Sequence, residues 1–347
     1  MLSGFNLTTE DATRRILEEH VKRAKEDDED DFGVHLDEYS TLIDEEDVFD
    51  ATEDIGPCPA FIEACTEPVE FCTVETGERP LTVLTGAFNM IRPGYTVILY
   101  GPRRSGKSKF IRHICQRIRP WFPDVICFTK TKASGEYFSF LPYDHVIDGL
   151  DEDLLMALMK NQRKIKMKES RGEFVGNYNL LVIIDDCMAE KLRYKDIFNM
   201  VFFNGRHYNI TLLVTVQDVK GVAPSATINA DMAFSFSLPD RRGRETVREK
   251  FADYLTRNEF DALFDSDEIN KKYHIVGFDI AHRYNPIERR ISIGCCDPKT
   301  EEPFVMGDRH MWNNSLKQLM ELGHGHLIQQ DHWDIVQPKG KPQTKPK

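Results

Sequence analysis

The chain has 347 residues, of which 41% are hydrophobic and 29% charged, enough apolar material for one large domain or two of ordinary size. No apolar run approaches the roughly 20 residues that a membrane helix needs, and the opening MLSGFNLTTEDATRR holds no apolar leader core; membrane-spanning and secreted classes are not expected. The net charge of −12 is concentrated between Glu26 and Asp54, which carry 15 acids and no Lys or Arg, so the remainder is close to neutral.

In chain order, residues 8–25 read as a short helix, with Thr8 and Asp11 placed as a capping box and Ile16, Leu17 and Val21 as a thin apolar stripe. The acidic stretch that follows is interspersed with Phe32, Leu36, Tyr39, Leu42 and Phe49. It suits a segment that folds on a partner, an arm on a basic surface, or a solvated tail. From about Pro80 the pattern changes. Buried-strand runs at Thr96–Tyr100, Asp124–Thr129, Leu180–Ile184, Ile210–Val216 and Met232–Leu238 alternate with helical stretches at Lys107–Arg119, Asp151–Lys168 and Tyr194–Asn204. A short strand is expected near His145, and Gly205 is placed to stop the third helix. His274–Phe278 and Arg289–Gly294 read as a terminal hairpin. Strands alternating with helices predict an α/β fold, a mostly parallel sheet covered on both faces. The expected divisions are an N-terminal extension (1–79), an α/β core (80–298), and a C-terminal helical extension with a basic tail (299–347).

The run Thr96–Tyr100 leads straight into Gly101-Pro102-Arg103-Arg104-Ser105-Gly106-Lys107-Ser108, which opens a helix. This is the G-x-x-x-x-G-K-[ST] pattern in its required strand–helix context. Such a loop turns backbone N–H groups toward phosphates, and the helix N-terminus adds partial positive charge. Lys107 is placed to reach the β and γ phosphates of ATP, Ser108 to offer an oxygen to Mg2+, and Gly106 to let the backbone approach closely.

A nucleotide enzyme also needs an acid at the end of a neighbouring strand. Asp185 and Asp186 end the run that starts at Asn179. Strand alternation points them in different directions; Asp185 is the Mg2+ partner, and Asp186 polarises the attacking water or caps the following turn. Gln217 ends the next strand. It orients water at the γ-phosphate or merely opens a loop.

The runs GPRRSGKS, LLVIIDDC, NGRHYNITLLVTVQ and ATINADMAFSF resemble the genome-packaging ATPases of large nucleocytoplasmic DNA viruses. These form the poxvirus-type group of the FtsK–HerA superfamily, with a RecA-like P-loop fold. The resemblance covers about Val83 to Ile293. It implies phosphate contacts at Gly101–Ser108, Mg2+ at Ser108 and Asp185, a catalytic acid at Asp186 and a γ-phosphate sensor at Gln217. It further implies a homo-oligomeric ring of five or six subunits that pumps double-stranded DNA, with capsid or portal-vertex proteins as partners. The host cytoplasm (the viral factory) and the virion are the implied locations. A neighbouring subunit's arginine would complete each site; Arg206, in the family's Arg-His turn with His207, is one candidate, and Arg241, Arg242 and Arg244 are others. Arg103 and Arg104 depart from the small residues commoner inside such loops. A P-loop ATPase acting on protein partners, or a helicase, is the alternative, and a nucleotide-dependent scaffold a third class.

Three weaker signals remain. Lys160, Arg163, Lys164, Lys166, Lys168 and Arg171 precede a loop with Phe174 and Tyr178. This is a pore loop for DNA backbone, or cations favourably placed at a helix C-terminus. Cys58, Cys65 and Cys72 are seven apart, which is not a usual metal spacing, and His324, His326 and His332 invite a metal site but lack paired carboxylates or Cys nearby in sequence. The cysteines are expected to be reduced, buried thiols. The tail lysines Lys339, Lys341, Lys345 and Lys347 are spaced by Pro and Gly as in a flexible, solubilising segment.

Overall fold

A computed structural model describes residues 70–321 and 323, apart from 78, 86–90, 188–195, 218–221, 223–226, 239, 268, 270, 272 and 297–302. The expected N-terminal helix, the acidic stretch, the three histidines and the basic tail lie outside the described residues.

Among the described residues ten strands form one sheet: β1 (Phe71–Val74), β2 (Leu81–Thr85), β3 (Thr96–Tyr100), β4 (Asp124–Thr129), β5 (Val146–Asp148), β6 (Leu180–Asp185), β7 (Ile210–Val216), β8 (Met232–Phe236), β9 (His274–Asp279) and β10 (Ile291–Cys295). Their spatial order is β1-β2-β10-β9-β8-β3-β7-β6-β4-β5. From β8 to β5 every pairing is parallel, whereas β9 runs antiparallel to both β8 and β10, and β1 antiparallel to β2. The α/β, mostly parallel sheet read from the sequence is therefore present. The β9–β10 hairpin is also present, but Arg289 and Arg290 sit in a one-turn helix, Ile287–Arg290, ahead of β10. The sheet itself begins at Phe71, on the N-terminal side of the boundary expected at Pro80.

Both faces of the sheet are apolar, which is why its strands read as continuous hydrophobic runs rather than alternating ones. Ile98, Tyr100, Val182, Ile184, Leu212 and Val214 face one layer, with the buried sides of α2 (Glu152–Ser170), α3 (Asp196–Asn204), α4 (Arg241–Phe251) and α5 (Arg257–Asp265). Val97, Leu99, Val125, Cys127, Leu181, Ile183 and Leu213 face the other, with α1 (Lys107–Ile118), Tyr137, Phe140, Phe304 and Met306. The parity of each strand's residues decides the layer. Burial pushes the Cys115 and Cys127 thiols up, so these are inert core thiols.

Local rules set the helix ends. Asp151 caps α2 by accepting from the Leu154 amide at 2.9 Å. Thr256 and Glu259 form a reciprocal capping box at α5. Gly205 does not stop α3 by a left-handed turn; the chain continues as one 3-10 turn, Gly205–Tyr208, and Asn209 takes the left-handed conformation at φ 58°. A further helix, α6 (Arg309–Glu321), lies C-terminal to the sheet, and its Ser315 hydroxyl donates to Asp144.

Candidate nucleotide site

The register brings the carboxyl ends of β3, β7 and β6 to one edge. Tyr100 pairs with Val216, and Ile184 with Val214. The strands beside β3 are β7 and β8, not β6, so the acid-bearing strand is one place further from the phosphate loop than a neighbouring strand would be. The gap is closed by side chains, as the Ser108 hydroxyl donates to Asp185 Oδ2 at 3.2 Å.

The loop leaves β3 at Gly101, whose N–H donates to the Val216 carbonyl at 3.1 Å. A Cβ on Gly101 would lie 2.7 Å from Ser105 Oγ and 3.0 Å from the Phe236 ring, so a larger residue would force the loop off β8. Gly106 closes the loop at φ 102°, a conformation that favours glycine. Pro102, Arg103 and Arg104 face solvent, and Arg104 is itself left-handed at φ 62°. Lys107, only 8% exposed, donates from Nζ to the carbonyls of Gly101 and Pro102 at 2.9 and 2.8 Å. Burial pulls its ammonium below the usual lysine range, and the negative charges of Asp185 and Asp186 oppose that pull.

Asp185, 3% exposed, accepts from three hydroxyls: Ser108, Tyr137 at 2.7 Å and Thr215 at 2.6 Å. Sequence reasoning missed Tyr137 and Thr215. Thr215 was in view, two residues before Gln217 on a strand already expected to flank the site. Tyr137 sits in a one-turn 3-10 segment after β4 and carries no motif. Burial, and next the Asp185 charge, hold its phenol well above the ordinary tyrosine range, so it stays a donor.

Asp186 does diverge from Asp185, but not through strand alternation. It lies just past β6 at φ 55°, and its N–H donates to Thr215 Oγ1 at 3.0 Å. Its carboxylate thereby reaches across β7 and accepts from the Gln217 side-chain amide. Gln217 Oε1 in turn accepts from Arg103 Nε at 3.2 Å. The site thus holds a buried cation in a backbone cradle, a hydroxyl–carboxylate pair and a second acid bridged to an amide. Mg2+ takes hard oxygens, typically one or two carboxylates together with phosphates and water. The Ser108–Asp185 pair has that chemistry. Among the described residues no group of three or more His, Cys, Asp or Glu could hold a metal by itself.

Arg206 is elsewhere. It sits in the 3-10 turn before β7, at the amino edge of the parallel strands, where its backbone packs against Gly94 just before β3. Its charge acts on Asp231, which accepts from the Thr96 N–H at 2.7 Å. Within one subunit it cannot serve its own phosphate loop. Arg244 binds Asp265 at 2.7 Å and the Leu238 carbonyl, which makes it a tie between α4 and α5, while Arg241 and Arg242 are exposed.

Residues 88–238 match the model of a family described as Poxvirus A32 protein. Across that segment, somewhat less than half of its length, the chain is similar to this family. The segment takes in the phosphate loop, both acids, Arg206 and Gln217, and leaves out β1, β2, β9 and β10. Protein 088R of Invertebrate iridescent virus 3 is 27% identical over 187 residues, spanning 52% of this chain and 67% of the relative. Protein L437 of Acanthamoeba polyphaga mimivirus is 26% identical over 145 residues, spanning 40% of this chain and 51% of the relative. The chain therefore spans about half to two thirds of the length of these curated relatives. The structure of the genome packaging NTPase B204 from Sulfolobus turreted icosahedral virus 2, in complex with ATP-gammaS, is 18% identical, covers 58% of this chain and 97% of that one, and superposes with a TM-score of 0.42. No helix among the described residues is long and apolar enough to cross a membrane.

Proposed function

We propose that the protein is an ATPase that drives double-stranded DNA into a viral capsid. The observation that carries the reading is the joining of three elements at one sheet edge: the Lys107 cradle, the Ser108–Asp185 pair, and the Asp186–Gln217 bridge. The similarity of residues 88–238 to the Poxvirus A32 protein family supports it.

In this reading Lys107 leaves its loop carbonyls for the β and γ phosphates of ATP, an exchange of neutral acceptors for charged ones. Ser108 and Asp185 hold Mg2+, which neutralises phosphate charge when bound. Tyr137 and Thr215 fix the Asp185 carboxylate. Asp186 accepts a proton from the attacking water, and Gln217 orients it. Arg206 stands on the opposite edge of its own subunit. It contributes only if subunits meet carboxyl edge to amino edge, as in a closed ring.

The cationic end of α2 supports DNA contact at the amino edge. It runs into the loop before β6, where Arg171 is exposed and Val175 is 81% exposed. Backbone contact of this kind is independent of sequence and falls with salt.

The test is steady-state ATP hydrolysis with and without long duplex DNA, alongside Asp186→Asn. The expected result is stimulation by duplex that is lost in the variant. Hydrolysis indifferent to duplex at every salt concentration would favour an ATPase directed at protein partners.

A further inference from the structure

The phosphate loop carries an arginine at a position where the motif demands nothing, and that arginine touches the far side of the site. Arg103 Nε donates to Gln217 Oε1, and Gln217 Nε2 donates to Asp186 Oδ1. The polarity of this chain is forced. A guanidinium has only donors and a carboxylate only acceptors. An amide between them has one satisfactory orientation, oxygen toward Arg103 and nitrogen toward Asp186. Neither a carboxylate nor an ammonium at 217 could satisfy both neighbours.

We propose that Arg103 is a positioning residue for hydrolysis: it locks the Gln217 amide, and through it the Asp186 carboxylate, to the phosphate loop. The proposal rests on the reading of Asp186 and Gln217 given above. It assigns Arg103 a role apart from simple phosphate attraction, and it makes the loop and the catalytic acid move as one unit. Asp186, at one end of the link, and Arg104, next to the other end, both have left-handed backbone. Arg103 is exposed and Gln217 half-buried, which leaves the link open to replacement without disturbing the core.

The test is a double-mutant cycle on the full chain with Arg103→Met, Gln217→Met and the pair, read as kcat and as the dissociation constant of a slowly hydrolysed ATP analogue. Arg103→Met is expected to lower kcat about tenfold while changing the dissociation constant less than about threefold, within the range of coupling between contacting residues. Arg103→Lys, which keeps a donor, recovers part of kcat. In the Gln217→Met background, Arg103→Met causes no further loss. Two results overturn the proposal alone: losses that multiply in the double variant, or an Arg103→Met effect confined to the dissociation constant, which would make Arg103 a direct phosphate contact. An unchanged kcat in Gln217→Met would overturn the underlying reading of Gln217, and the proposal with it.

Discussion

The two edges of the parallel sheet differ in how they hold charge. At the carboxyl edge Lys107 and Asp185 are drawn inward and nearly inaccessible, each met by several donors or acceptors, while Arg103 and Arg104 of the loop stay exposed. At the amino edge Asp231 and Asp279 are drawn in to hold backbone and side-chain donors, while the cations stay out. The Asp231 carboxylate takes the Thr96 N–H and its carbonyl the amides of Ile280 and Ala281, while Asp279 pairs with His282. Arg206 and Arg283 are exposed there, and Tyr284 is 103% exposed. One edge is organised before any partner arrives; the other presents side chains outward. The proposed ring would set the first edge of one subunit against the second edge of the next.

Arg206 distinguishes the two edges most sharply. If the edges meet between subunits, Arg206→Ala should leave nucleotide binding intact and cut turnover on the order of 10³-fold, the usual range for an arginine finger. Mixing Arg206→Ala with Lys107→Ala chains should restore part of the activity, since some interfaces would then hold one intact edge from each. Absence of any recovery in hydrolysis assays would separate the two edges functionally. Asp186→Asn should keep nucleotide affinity and lose at least about 10²-fold in kcat, as removal of a general base does; wild-type turnover in that variant would move the chemistry away from the Asp186–Gln217 bridge.

Helix α1 runs between the edges, and its buried His113 offers a milder lever. Burial, and next the Arg117 charge, lower the His113 pKa from 6.5 to about 4. Arg117 also donates to its Nε2 at 3.2 Å, which suits a neutral ring. The folded pKa lies below the unfolded one, so the unfolded chain binds the extra proton. Stability from this group is complete above about pH 6.5 and falls as pH drops toward 4. About 2 kcal/mol should be lost by pH 5. Denaturant melts at pH 7.5 and 5 should show that loss, and His113→Gln should reduce it. The smallest effect concerns Tyr137. Tyr137→Phe should cost about 1–2 kcal/mol of stability, because it removes a donor from a buried carboxylate. It should also raise the Mg2+ concentration needed for half-maximal nucleotide binding by a few fold. An unchanged Mg2+ titration would reduce Tyr137 to a packing residue.

Much of this edge was legible before folding. The fully apolar strands β3, β4, β6 and β7 announced themselves as buried runs, and α1, α2 and α3 by their spacing. The phosphate loop, Asp185, Asp186 and Gln217 were readable because their chemistry is local to strand ends. What escaped notice has physical causes. Helix α4, Arg-Arg-Gly-Arg-Glu-Thr-Val-Arg-Glu-Lys-Phe, buries only Val247 and Phe251, too sparse a stripe to stand out. Helix α5 did carry a legible start, Thr256 with Glu259 three residues on. Strand β1 is four residues long with a single fully buried side chain, and among the described residues it joins the sheet through β2 alone.

The sequence by itself determined the local devices: which runs would be strands, the glycine-bounded loop that can turn its amides inward, and the acids placed at a strand's end. Only the tertiary structure decided which of them meet. It put β7 between β3 and β6, so that Thr215 and Gln217 became the bridges to the two acids. It brought Tyr137 onto Asp185 across 48 residues of sequence and Arg103 onto Gln217 across 114. It sent Arg206 to the opposite edge. Strand order and side-chain meetings depend on how two apolar faces are covered at once, and that is a property of the whole packed sheet rather than of any segment within it.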